Sequence, residues 1–205
     1  MIGASKHPYA TDSNERKNVL FILAILSVII CYGIYYILEH KTIEVSYWIS
    51  IPSVFGVFGF LYLIFNEWLW RISFMHKIKL VRVPVISGEW TGTLKSSYDN
   101  FQANKNIRII VYQTWTEILI VLETESSTSY SHSASIFTSN PHCYTLTYEY
   151  VNNPIPAALH TMHMHIGTTT LEKNEKSNEM VGCYYSGRDR NNVGDIAISK
   201  QSRLT

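Results

Sequence analysis

Two unbroken apolar runs dominate the first third of the chain, and short alternating stretches follow them. Residues 19–38 read VLFILAILSVIICYGIYYIL and carry no charge. At 1.5 Å per residue such a helix spans ~30 Å, the thickness of a hydrocarbon core. Residues 47–65, YWISIPSVFGVFGFLYLIF, are also uncharged and about long enough. The buried helix of a soluble protein normally keeps a polar face, and neither run has one. The pattern predicts two transmembrane helices. A signal peptide fits the first run poorly, because the run is too long for an h-region and polar chain precedes it. Tyr35, Tyr36, Tyr47, Trp48, Trp68 and Trp70 sit near the span ends, where amphipathic rings favour the interface.

Charge sets the orientation. Lys6, Arg16 and Lys17 precede the first run, and Arg71, Lys77, Lys79 and Arg82 follow the second. The loop between them, residues 39–46, has only Lys41, beside Glu39 and Glu44. The positive-inside rule predicts both termini in the cytoplasm and a short hairpin on the far side. Pro52 is positioned to bend the second helix. Ser50, Ser53, Gly56 and Gly59 recur at every third position, and small residues let helices approach closely in lipid. That face suits packing against the first span or between protomers, with equal claim.

Residues 68–83 are amphipathic and basic, which suits the inner interface, and Pro84 ends them. From there strand signals repeat with turn residues between. The alternation predicts eight strands: 88–98, 106–115, 117–124, 129–138, 142–150, 159–168, 180–187 and 194–200. Ile107, Ile109, Val111, Gln113 and Trp115 share one face; Leu146, Tyr148 and Tyr150 share another. The breakers are Asp99-Asn100, Asn140-Pro141, Asn152-Asn153-Pro154, residues 172–179 and residues 188–192. Short connections favour an up-and-down antiparallel topology, and eight such strands close into a barrel with room for side chains or one small ligand. The expected class is membrane plus all-β: two N-terminal transmembrane helices followed by a small eight-stranded antiparallel β-barrel. Trp90 would plug one end of it. A β-sandwich is the alternative. The expected organisation is an N-terminal cytoplasmic segment 1–18, a transmembrane hairpin 19–65, a juxtamembrane linker 66–84 and a ligand-binding barrel 85–205.

The formal net charge of the 205 residues is +1, so no global basic field draws in DNA or RNA. Cys31, Cys143 and Cys183 are odd in number and widely spaced, which argues against a disulfide framework or zinc knuckle. No GxSxG, HExxH or Walker loop is present, and no catalytic constellation, cofactor or metal site is expected. His160, His163 and His165 resemble a metal motif, but on a strand His160 points away from the other two and no acidic residue or Cys lies close in sequence.

What remains is a set of polar and aromatic groups at alternate positions. Ser129, Ser131, Ser133 and Ser135 form one row, Tyr148 and Tyr150 another; His165 follows His163, and Tyr184 precedes Arg188. A lumen filled only by core would show Leu, Ile and Val there. Aromatics stack, hydroxyls hydrogen-bond and Arg pairs with phosphate, so the mixture suits a planar, anionic ligand. The candidate ligand-binding residues are Ser129, Ser131, Tyr148, Tyr150, His165, Tyr184 and Arg188. The serine row has an equal claim to be a solvated strand face, and Arg188 to be a solvated turn residue. An apolar, lipocalin-like cavity for a lipid is the alternative function, which the polar rows disfavour.

The order of these features carries a resemblance. Two spans lead into Gly88-Glu89-Trp90-Thr91-Gly92. Then come Gln113-Thr114-Trp115, Ser129-Tyr130-Ser131, Leu146-Thr147-Tyr148-Glu149-Tyr150 with Asn152 and Pro154, His165-Ile166-Gly167, and Gly182-Cys183-Tyr184-Tyr185-Ser186-Gly187-Arg188. This resembles the two-transmembrane, β-strand-rich effectors of bacterial CBASS anti-phage defence, the SMODS-associating or CD-NTase-associated protein fifteen family. The resemblance implies a non-enzymatic effector in the bacterial inner membrane. A partner cyclase makes a cyclic dinucleotide, the barrel binds it, homo-oligomers form, and the spans disrupt the lipid bilayer so that the infected cell dies.

Overall fold

In a computed structural model, described for residues 5–40, 53–140, 143–174, 177–187 and 190–201, alternate side chains of the C-terminal strands turn inward and close a barrel. Two short N-terminal strands, β1 (His7–Pro8) and β2 (Ala10–Thr11), precede the helices. The barrel strands are β3 (Gly88–Ser96), β4 (Lys105–Gln113), β5 (Glu117–Glu123), β6 (Ser127–Phe137), β7 (Cys143–Pro154), β8 (His165–Asn174), β9 (Glu179–Ser186) and β10 (Val193–Lys200). Each pairs antiparallel with the next, β10 pairs with β3, and β5–β6 closes the ring. This is the expected eight-stranded up-and-down barrel.

Inward rows follow the alternation. Ile107, Ile109, Val111 and Gln113 of β4 are buried, as are Leu146, Tyr148 and Tyr150 of β7. Trp90 and Trp115 are buried at the end where residues 83–87 enter. The Trp90 indole N–H donates to the Ile86 carbonyl at 3.0 Å. The Gln113 amide accepts from Ile86 N–H at 2.9 Å and donates to the Pro84 carbonyl at 3.1 Å. That end is therefore filled and tied to the incoming chain.

Two strand expectations need correction. The sixth barrel strand runs over His165–Asn174, not 159–168. Residues Pro156–Ala158 form a 3-10 turn, so His163 lies in a loop and does not share a strand with His165. β7 also runs through Asn152-Asn153 to Pro154, because β6 supplies partners to all three and β8 one to Asn152. The serine row is not one row. A bulge between Ser131 and Ser133 turns Ser129 and Ser131 inward but leaves Ser133 exposed, and Ala134 and Ile136 take the inward positions beyond it.

The same bulge loosens the barrel seam. β5 and β6 pair directly only over Val121–Glu123 against Thr128–Tyr130. Below that stretch the N-terminal segment enters. β1 pairs antiparallel with β5 (His7↔Ile118), and β2 pairs parallel with β6 (Ala10↔Ser135). The Ser131 hydroxyl accepts from Ile120 N–H at 2.9 Å and meets His7 Nε2 at 2.8 Å. Tyr9 is 2% exposed, and its hydroxyl donates to the Trp115 carbonyl at 2.7 Å. Asp12 then accepts from the Thr138 and Ser139 amides at 2.9 and 2.8 Å. Desolvation alone would raise its carboxyl, but the hydrogen bonds from Ser139 and Thr138 outweigh it and hold the group below the ordinary carboxylate range. Strands of two residues carry no readable period, so the pattern along the chain gives no sign of them.

The second unit is helical. α1 (Glu15–His40) buries Val19, Leu23, Ser27 and Cys31 at four-residue spacing, and α2 (Val54–Glu67) packs against α1. The Ser27 hydroxyl satisfies itself on the Ala24 carbonyl at 2.7 Å. Phe21, Val28, Ile29, Ile37 and Phe55 remain exposed, an apolar surface suited to lipid. α1 alone is long and apolar enough to cross a bilayer among the described residues. α2 has 14 described residues, or about 21 Å; residues 41–52, with Tyr47, Trp48, Ser50 and Pro52, lie outside the described part. The Ser53 hydroxyl caps α2 by accepting from Gly56 N–H at 3.1 Å. A Cβ on Gly59 would meet nothing within 4 Å, and one on Gly56 only the Ser53 hydroxyl at 3.3 Å. Gly56 and Gly59 thus make no close packing against α1. A Glu15 carboxylate oxygen accepts the Arg82 backbone N–H and ties the two ends of this unit together.

Candidate functional site

The barrel end opposite the tryptophan-filled one is open. Strands β3, β5, β7 and β9 end there and β4, β6, β8 and β10 begin there, around a cavity of about 250 Å3. Ligand pockets usually hold roughly 300–1,000 Å3, so this one takes part of a ligand and leaves the rest at the mouth.

Two tyrosines form the walls. Tyr150 on β7 faces Gly167 on β8, and Tyr184 on β9 faces Gly194 on β10. A Cβ at Gly167 would stand 2.3 Å from the Tyr150 hydroxyl, and one at Gly194 would stand 2.3 Å from Tyr184 Cε1. Each ring lies along the barrel wall in space that only glycine leaves. Burial pushes both phenols above the ordinary tyrosine value, so at neutral pH they are uncharged hydrogen-bonding groups.

From Tyr150 toward the mouth the lining is hydroxyl and amide. Ser129 Oγ donates to Asn152 Oδ1 at 3.0 Å, and the Asn152 amide nitrogen reaches Met162 Sδ at 3.2 Å. Thr169 also faces in and is 1% exposed. Tyr148, its register partner on β7, is buried behind it, with its phenol pushed up to about 12 by desolvation. The Tyr148 and Thr169 hydroxyls are buried without a partner of full hydrogen-bonding geometry. One layer further down, Leu146 and Leu171 begin the apolar core.

The mouth carries the charge. A 3-10 turn at Ser97–Asp99, closed by Asn100 in the left-handed region at φ 53, presents Tyr98. Lys105 Nζ and the Arg190 guanidinium each lie 5.6 Å from the Tyr98 ring centroid. Asp99 pairs with Lys105 at 3.5 Å and partly offsets it. His165 Nδ1 meets the His163 carbonyl at 2.9 Å, which assigns the proton to Nδ1 and leaves Nε2 as an acceptor in the neutral ring. Burial holds the His165 pKa below its ordinary value, with the Arg190 charge adding to that and the His163 carbonyl opposing it.

Of the residues proposed from sequence, Ser129, Tyr150, His165 and Tyr184 line this cavity together. Tyr148 lies buried beside Thr169. Ser131 is elsewhere: its hydroxyl is engaged in the seam by Ile120 and His7. Arg188 lies outside the described residues. Lys105, Tyr98, Asn152, Thr169 and Arg190 line the cavity without having been among the candidate ligand-binding residues. Asn152 stood in a presumed breaker, and Thr169 lay beyond the presumed end of its strand. Among the described residues no group of three or more His, Cys, Asp or Glu could hold a metal.

Related sequences bear on both the cavity-bearing barrel and the apolar helices. Residues 81–200 match the family described as "Cap15, cyclic dinucleotide receptor domain", and residues 17–71 match "Cap15, TM helices". The chain belongs to the Cap15 family. It is 30% identical over 154 residues to the CD-NTase-associated protein 15 of Yersinia aleksiciae, covering 74% of this chain and 71% of that relative. The Cap15 match joins a receptor-type barrel to membrane helices and associates the chain with CBASS defence.

Proposed function

We propose that the chain is a non-enzymatic CBASS effector. A cyclic dinucleotide made by a partner cyclase enters the open end of the barrel, promotes homo-oligomers, and turns the membrane helices against the inner membrane, killing the infected cell. The carrying observation is the cavity: neutral phenols and hydroxyls within, Lys105 and Arg190 at the lip, in a chain of the Cap15 family. Stacking rings, hydroxyl donors and cations at phosphate positions are what a cyclic dinucleotide requires.

The membrane topology in this reading has two spans and both termini in the cytoplasm. Strands β1 and β2 pair with β5 and β6, so chain before and after the apolar segments belongs to one sheet. That supports an even number of crossings. The basic residues flanking the spans favour the cytoplasmic side for that sheet. The uncovered glycines Gly56 and Gly59 support helix packing between protomers. Coupling requires only that the nucleotide bind the assembled state better than the resting one.

The test is titration calorimetry of the detergent-solubilised chain against a panel of cyclic dinucleotides, paired with dye entry into cells expressing the chain and its cyclase. Saturable binding and cyclase-dependent dye entry are expected. A chain that binds no panel member, or that admits dye without the cyclase, overturns the reading.

A further inference from the structure

The polarity of the cavity is graded, and the grading orients the ligand. The cations, Lys105, Arg190 and the titratable His165, stand at the mouth. The deepest polar atom of the lining belongs to Thr169, and beneath its layer the interior is Leu146 and Leu171. An anionic phosphodiester ring belongs with the cations and costs too much to bury against an apolar floor without them. A nucleobase is planar, neutral and polar only at its edge, and suits the lower part.

We propose that one base of the ligand enters the barrel edge first and that Thr169, backed by Tyr148, reads a carbonyl oxygen on that edge. This rests on the receptor reading above and adds to it the orientation and the class of base. Two buried hydroxyls set the assignment. Tyr148 Oη and Thr169 Oγ1 lack a partner of full hydrogen-bonding geometry, and a buried polar group left so is costly. The Thr169 hydroxyl is near enough to act on the Tyr148 phenol. With the apolar layer below, the phenol proton turns to Thr169 Oγ1. The Thr169 proton is thereby freed to point up into the cavity. A chain of hydroxyls aligned this way strengthens its last donor. That donor needs an acceptor: the carbonyl oxygens of uracil and guanine offer it two lone pairs, whereas adenine offers single-lone-pair ring nitrogens beside an amine that cannot accept, so the innermost ligand atom is assigned to a base carbonyl.

The full chain in detergent is titrated with c-di-UMP, c-di-GMP and c-di-AMP, as wild type and as Thr169→Val, Thr169→Ser, Tyr148→Phe and the double variant Lys105→Ala/Arg190→Ala. Wild type is expected to prefer a carbonyl-bearing member over c-di-AMP by about tenfold or more. Thr169→Val keeps the β-branched shape and removes the hydroxyl, so that preference should collapse while thermal stability holds. Thr169→Ser should restore it, and Tyr148→Phe should reduce it in part. The double rim variant should weaken all members alike and flatten the salt dependence. Preference for c-di-AMP, or Thr169→Val weakening every member equally, overturns the assignment and leaves the receptor reading standing. Failure of wild type to bind any member removes both.

Discussion

Replacing Tyr9 tests the barrel seam, because Tyr9 is the buried aromatic anchor of a segment whose strands are only two residues long. Its ring is 2% exposed and its hydroxyl donates to the Trp115 carbonyl. Tyr9→Phe removes that hydrogen bond and keeps the ring, at a cost of about 1 kcal/mol. Tyr9→Ala removes the ring as well, at about 3–5 kcal/mol for an aromatic truncation, with about 1 kcal/mol more for the lost bond. Against a typical stability of about 5–15 kcal/mol the second change is severe. With a urea dependence of about 2 kcal/mol per molar, the midpoint should fall by about 0.5 M for Tyr9→Phe and about 2–3 M for Tyr9→Ala. The assay is urea unfolding of the detergent-solubilised chain, followed by tryptophan fluorescence, to which the buried Trp90 and Trp115 contribute. If Tyr9→Ala shifts the midpoint no further than Tyr9→Phe, the ring is not packed in the seam and the account of the N-terminal segment is wrong.

Gly167→Ala places a methyl where the Tyr150 hydroxyl and the Tyr185 carbonyl stand; it should lower stability by about 1–3 kcal/mol in a thermal melt and weaken nucleotide binding, whereas an unaltered affinity would mean that Tyr150 does not form the wall. His165 has a folded pKa below 6.5, so its contribution to stability is complete above the unfolded value and diminishes as pH falls through it. A bound phosphate would favour the protonated ring, so affinity should rise a few-fold from pH 8 to pH 6 and be level in His165→Gln; equal slopes in both proteins would remove His165 from the phosphate site. Gly56→Leu should insert normally, since Leu is favoured in lipid, and keep nucleotide affinity while abolishing cyclase-dependent dye entry; dye entry at the wild-type rate would show that this helix face makes no contact between protomers.

Much of the fold was legible because its inward rows are long and of one character. Ile107, Ile109 and Val111 alternate without interruption, and the two charge-free runs cannot be mistaken for strands. The sixth barrel strand was misplaced for a physical reason. Thr168-Thr169-Thr170 gives no contrast between faces, and the Glu172–Asn174 end looks like a turn until β7 is seen to pair with it. Asn152 and Pro154 resembled a break but continue β7, Asn152 between β6 and β8 and Pro154 paired with β6 alone. Within the site, Tyr150 and Tyr184 were visible as inward aromatics. Lys105 and Arg190 were not, since only the folded turns bring both to Tyr98. The bulge at Ser131 reversed the faces of a row that the alternation rule treats as one.

Strands β1 and β2 also change how the chain is parsed. The β-domain comprises Met1–Ser13 and Val83–Thr205, and Asn14–Arg82 is a segment spliced into it. The helical unit is thus an insertion within a discontinuous β-domain. The Glu15–Arg82 tie brings the two ends of that insertion together. A fragment begun at Val85 would lack two strands and carry an open slot between β5 and β6, of the kind that invites an extended peptide from another molecule. Excising Asn14–Arg82 and joining Ser13 to Val83 through a short Gly/Ser linker keeps the slot filled. The natural cut for a soluble receptor is therefore out of the middle of the chain, not off its front.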